Sequence, residues 1–82
     1  MTIEIINRDN KIEILIENTP HLSLKRSEII GFQSWITGEE HRTYFIEYYL
    51  KTKDILTEYD SKEKWEKILI LLKKENLFQD NF

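Results

Sequence analysis

The chain has no cysteine, no alanine and no valine, and only one proline and two glycines. Without cysteine neither a disulfide nor thiolate chemistry is open to it, which points to a cytoplasmic setting. Glycines at positions 31 and 38 alone make no phosphate-cradling loop. No apolar run approaches the roughly 18 residues a membrane span needs, and the opening M-T-I-E-I-I lacks the basic region and small-residue cleavage site of a secretory leader. A basic patch is missing too. The net charge is −3 and the signs are mixed along the chain, which argues against a nucleic-acid footprint. The carboxylates are not dense enough to imitate DNA. Ile, Lys, Glu and Leu dominate at the expense of residues with GC-rich codons, a bias that suggests a low-GC bacterium or its phage.

What is there describes an ordinary folded chain. Hydrophobic residues make up 40% and charged ones 33%, so the chain is neither disordered nor membrane-spanning. At 82 residues it is expected to form a single domain, 1–82, with a thin core that buries somewhat over ~60% of the unfolded surface.

The strongest strand signal is Arg42 to Leu50, R-T-Y-F-I-E-Y-Y-L, dense in β-favouring residues and free of breakers. With a period of two, Tyr44, Ile46, Tyr48 and Leu50 point one way and Thr43, Phe45, Glu47 and Tyr49 the other. Both faces are largely apolar, as in a central strand. Before it, residues 2–7 and 11–17 read as a hairpin around the turn cluster Asn7 to Asn10. Asn18-Thr19-Pro20-His21 reads as a loop, because proline cannot donate to a ladder. Leu22 and Leu24 alternate briefly. Ile29 to Thr37 is the next strand, with Ile30, Phe32 and Ile36 on one face, Ile29, Gln33 and Trp35 on the other, and Gly31 marking a bulge or a close approach. Gly38 to His41 is a hairpin loop, residues 51–54 a turn, and Ile55 to Tyr59 a short last strand.

A helix is predicted over about 61–75, with Asp60 as its cap and Glu63 three residues on. Trp65, Ile68, Leu69, Leu71 and Leu72 form one apolar stripe; Ile70 falls outside it, toward water. Lys73 and Lys74 suit the last turn, Asn76 can stop the helix, Leu77-Phe78 can fold back on its end, and 79–82 is expected to fray. The predicted fold is α+β: an antiparallel β-meander of five or six strands, within residues 2–59, with one C-terminal amphipathic helix packed on one face.

Catalytic signals are few. His21 and His41 fall in different loops without paired spacing, so no metal site is expected. Glu39 and Glu40 are adjacent on a turn and splay apart, and no serine sits in a nucleophile elbow. Lysines and glutamates interleave on the helix as a solvated face with i,i+4 pairs. No cofactor is implied, and the chain does not read as an enzyme.

The informative surplus is aromatic. One helix covers one sheet face, yet Trp35, Phe45, Tyr49 and Ile29, with Leu15 as a further candidate, point away from Ile30, Phe32, Tyr44, Ile46 and Tyr48. Either the sheet curls and swallows one set, or a patch stays wet and marks an interface. Ile70 belongs to the same or a second contact.

The segments I-I-G-F-Q-S-W-I, Y-F-I-E-Y-Y-L and I-L-T-E-Y-D-S-K-E-K-W-E-K-I-L together resemble small bacterial pleckstrin-homology-like domains and short uncharacterised phage or prophage proteins, over Ser23 to Leu72. The chain departs from the pleckstrin-homology-like pattern in offering five or six strands where that fold uses seven, and no lipid-binding residue carries over. The resemblance implies a binding or assembly module without catalytic activity.

The expected function is therefore that of a small interaction protein, homo-oligomeric with a dimer favoured, that occupies a host protein as phage inhibitors of bacterial defence do. The alternative is a module that sequesters a small nucleotide between subunits. There Trp35, Phe45 and Tyr49 would stack a base while Arg26, His41 or Arg42 supplies charge. No nucleic acid and no membrane is expected as a partner.

Overall fold

A computed structural model describes residues 1–75. The six strands fall into two three-stranded antiparallel sheets rather than one meander. The first contains β1 (Ile3–Arg8), β2 (Lys11–Ile16) and β3 (Thr19–Lys25); the second contains β4 (Ile29–Thr37), β5 (Thr43–Leu50) and β6 (Asp54–Tyr59). A 3-10 turn at Arg26–Glu28 carries the chain between them, and α1 (Lys62–Lys74) follows β6.

The break into two sheets lies at that 3-10 turn, and Asn10 fixes it in place. Its carbonyl accepts from Arg26 N–H at 3.0 Å, its side-chain oxygen from Ser27 N–H at 3.0 Å, and its Nδ2 lies 3.1 Å from Ser27 Oγ. Asp9 and Asn10 both have positive φ, as do Glu17 and Asn18. Two-residue turns of that geometry match the right-handed twist of the strands they join. Glu17 is an unusual residue for it, and its position is secured at both ends. Its N–H donates to Thr2 O at 2.8 Å, while its carboxylate accepts from Thr2 N–H at 2.9 Å.

Because the turn closes at Asn18, the expected loop around Pro20 does not form: Pro20 and His21 lie within β3. Proline is tolerated there because β3 is an edge strand and the register shifts beside it, between Ile14 and Leu15 of β2. A second shift lies between Ile29 and Gly31. It corrects the faces of β4: Ile29 pairs with Leu50 and packs on the core, while Ile30 is exposed.

Ile12, Ile14 and Leu24 come to the core from the first sheet, Tyr44, Ile46, Tyr48, Leu50 and Tyr59 from the second. Ile68, Leu69 and Leu72 of α1 are buried with them, and the helix packs against β1, β5 and β6, so it touches both sheets. Its cap is Ser61, whose hydroxyl accepts from Lys64 N–H at 3.3 Å, not Asp60. Trp65 Nε1–H donates to the Phe45 carbonyl at 2.9 Å, and its ring lies tilted 5.3 Å from Tyr44. Among the described residues no helix is long and apolar enough to cross a membrane. The expectations for Asn76, Leu77-Phe78 and the 79–82 tail fall outside the described residues.

Candidate functional site

The alternation of β5 settles which set meets the core. Tyr44, Ile46, Tyr48 and Leu50 are buried, so Phe45, Glu47 and Tyr49 form the outer face of the second sheet. The register builds that face in rows. Trp35 lies beside Phe45 and Glu58, Gln33 beside Glu47 and Leu56, and Gly31 beside Tyr49 and Asp54.

Trp35 and Phe45 stack nearly parallel, 5.3 Å between centroids and 17° between planes. Each ring covers part of the other, and both are half-buried. The Tyr49 hydroxyl lies 2.8 Å from Gln33 Oε1 and 2.9 Å from Glu47 Oε1. A phenol carries one proton, so it donates to the carboxylate, and the Gln33 amide can turn its NH2 to the phenol oxygen. The Glu47 hydrogen bond, with smaller contributions from desolvation and from the charges of Glu47 and Asp54, holds the Tyr49 phenol above its ordinary range. Leu56 is 55% exposed in the next strand. Among the described strand residues of this face, the charged ones, Glu47, Asp54 and Glu58, are carboxylates. The result is an apolar strip with an acidic rim.

The residues singled out from sequence do not converge on one point. Trp35 and Phe45 lie at the end of the sheet where β4 and β5 join, next to His41 and Arg42 in the connecting loop. Tyr49 lies four residues along β5, about 14 Å away, at the end where Arg26 precedes β4. Ile29 faces the core. Ile70, 63% exposed, borders a separate shallow groove of about 400 Å³ with Met1, Ile3 and Lys67. Leu15 is on the first sheet.

A cleft of about 430 Å³ borders the outer face of the second sheet at Glu58 and is lined by Ile16 and His21 of the first sheet, Thr43, Glu58 and Tyr59 of the second, and Asp60 and Lys64 at the start of α1. His21 Nε2 is 2.7 Å from the Tyr59 hydroxyl. Partial burial, and secondarily the charge of Lys64, lowers the His21 pKa; burial raises that of Tyr59. The cleft offers hydrogen bonds and mixed charge. Among the described residues no three His, Asp or Glu side chains come together as metal ligands.

Sequence reading missed this cleft because it placed His21 in a loop. The signal was the alternation of Leu22 and Leu24, which extends back through His21 once Pro20 is allowed at an edge. Leu56 was missed as well, although the alternation of I-L-T-E-Y sets it opposite Ile55 and Thr57. The chain matches no family model, no curated protein and no solved structure.

Proposed function

We propose that this is a non-enzymatic interaction protein that grips a partner protein with the outer face of its second sheet. The observation that carries the reading is the Trp35–Phe45 stack on a sheet face whose charged strand residues, Glu47, Asp54 and Glu58, are all carboxylates. Aromatic side chains supply large contact area at small entropic cost, and an acidic rim selects a partner surface that is apolar at its centre and basic around it. The same rim sets two copies against stacking face to face, since like charges would meet. The resemblance to phage and prophage proteins supports a host protein, such as a component of bacterial defence, as the target to be occupied.

Pull-down from a low-GC bacterial lysate tests this. A partner held by the wild type, released by salt, and lost with Trp35→Ala or Leu56→Lys while circular dichroism stays unchanged is the expected outcome. Recovery of the same proteins by wild type and both variants would reject the face as the binding surface.

A second reading is favoured by the cleft at His21 and Tyr59: a small polar ligand bound within one chain rather than between subunits. Within one chain Tyr49 lies about 14 Å along β5 from the Trp35–Phe45 pair, so the trio does not close on one base there. Calorimetry against nucleotides and amino acids, with Lys64→Ala as control, decides it; no heat with any of them removes this reading.

A further inference from the structure

Charges of mixed sign along the chain are sorted by the fold into two ends. Among the Lys and Arg residues that precede α1, only Arg42 lies in the β4–β5 loop. The others, Arg8, Lys11, Lys25, Arg26, Lys51 and Lys53, gather at the opposite end. The register pairs Arg8 with Lys11 and Lys11 with Lys25. Ile12 and Leu24 beside them are buried, so the three cations point outward as one row, about 10 Å wide at the spacing of strands. Arg26 is held next to that row by its N–H, which donates to the Asn10 carbonyl. Lys51 N–H donates to the Glu28 carbonyl at 2.8 Å, which brings the β5–β6 turn, with Lys51 and Lys53, to the same end. All of these cations are exposed. Asp9, Glu28 and Asp54 stand against them, with Glu13 one row further in and 3.3 Å from Lys11, so this end stays positive.

Like charges directly opposite each other weaken a sheet, so packing alone gives no reason for the row Arg8–Lys11–Lys25. Two shallow grooves flank Lys11, one of about 230 Å³ on its Arg8 side and one of about 340 Å³ on its Lys25 side.

We propose that this basic end docks on the phosphate backbone of double-stranded nucleic acid without reading its bases. The net charge of −3 does not forbid it. Glu17, Glu39, Glu40 and Asp60 belong to the other end, the length of β5 or about 23 Å away. The Debye length at physiological salt is about 8 Å, so their repulsion is screened. The choice of partner follows from what the end contains. The turns at 9–10, 26–28 and 51–53 carry no aromatic ring on which an unpaired base could stack, and no apolar side chain to anchor a protein. A bilayer surface holds so small an excess of charge weakly, because each cation near it contributes little. A duplex presents one negative charge per about 1.7 Å of its axis and releases condensed counterions as cations approach. Phosphates seated beside Lys11 also relieve the like-charge row. The docking does not depend on what the outer face of the second sheet binds.

Fluorescence anisotropy of a labelled duplex of about 20 bp, in about 25 mM salt, reads the binding. The wild type is expected to bind, with log K falling against log salt at a slope of about −3 or steeper. Lys11→Gln with Lys25→Gln should weaken binding about tenfold or more and flatten the slope by roughly 2. Lys62→Gln with Lys67→Gln removes the same charge from the first turns of α1, where Lys67 reaches Met1 at the other end, and should change binding less than about twofold. Relief of the like-charge row should let the Lys11→Gln, Lys25→Gln chain melt no lower than the wild type. Should that chain fail to fold, Lys51→Gln with Lys53→Gln probes the same end with the same expectation. No binding by the wild type, or equal losses in the two ends' variants, would overturn the proposal. So would tighter binding to poly(dT), to polyglutamate or to phosphatidylserine vesicles than to the duplex.

Discussion

The Tyr59 hydroxyl and His21 Nε2, 2.7 Å apart and 38 residues distant in the chain, form a hydrogen bond between the two sheets. Neutral imidazole can accept the phenol's proton at Nε2 when Nδ1 carries the ring hydrogen; imidazolium cannot. The partial burial of His21 and the charge of Lys64 both disfavour the cation, so the folded chain holds that proton more weakly than the unfolded one.

The sign of the pH dependence follows. The stabilising contribution of His21 is fully present above its unfolded pKa, about 6.5, and is lost as pH falls through the lower folded value. Glu58, Asp60 and Lys64 line the same cleft and are present in both chains compared. Urea denaturation at pH 7.5, 6.5 and 5.5 is expected to show the wild type losing stability faster than His21→Gln, which offers Tyr59 an acceptor that does not titrate. Parallel slopes for the two chains would show that His21 is not the group responsible.

The helix cap gives a second expectation. Ser61 accepts from Lys64 N–H, whereas Asp60 makes no such bond. Ser61→Ala should therefore cost about 1 kcal/mol and Asp60→Ala distinctly less. Chemical denaturation of both variants measures the difference, and the reverse order would return the cap to Asp60.

Sequence carries what is local to a single element. Period-two alternation in Thr43–Leu50 and period-3.6 spacing in α1 are properties of one element, and both are readable residue by residue. The division into two sheets is not. It depends on Asn10 binding Arg26 and Ser27 across the chain, a contact no periodicity announces. The same holds for Ile29 and Ile30. Gly31 signalled an irregularity in β4, but the side of the strand each isoleucine takes depends on which residue the register skips. Asp60 preceded Ser61 with an equally good capping residue, so composition alone chose the wrong neighbour. The Trp35–Phe45–Tyr49 alignment was legible because all three lie beyond the bulge on strands with strict alternation.

Gly38 opens the β4–β5 loop with φ +93°, and a Cβ there would collide with the His41 carbonyl oxygen. Both the dihedral and the collision are relieved only by moving the loop that carries His41 and Arg42. Gly38→Ala is expected to destabilise the chain by about 1–2 kcal/mol, with the change read from the denaturant midpoint. A neutral result would mean that the loop rearranges without cost.

Trp65 links the core to the outer face. Its Nε1–H donates to the carbonyl of Phe45, the residue whose side chain stacks on Trp35 on the other side of the sheet. Trp65→Phe keeps a ring against Tyr44 but removes the donor, leaving that carbonyl without its partner from α1. The expected cost is about 1–2 kcal/mol. Trp65→Leu removes the aromatic pairing with Tyr44 as well and should cost about 1 kcal/mol more. Both variants leave Trp35 as the sole tryptophan, so its fluorescence reports the outer face directly during unfolding. If the backbone of Phe45 is held from the core side by this bond, Trp35 should become more accessible to a soluble quencher in Trp65→Phe than in a control that weakens the core elsewhere, such as Leu72→Ala. Equal quenching in the two would separate the strip from the helix and leave Trp65 a packing residue alone.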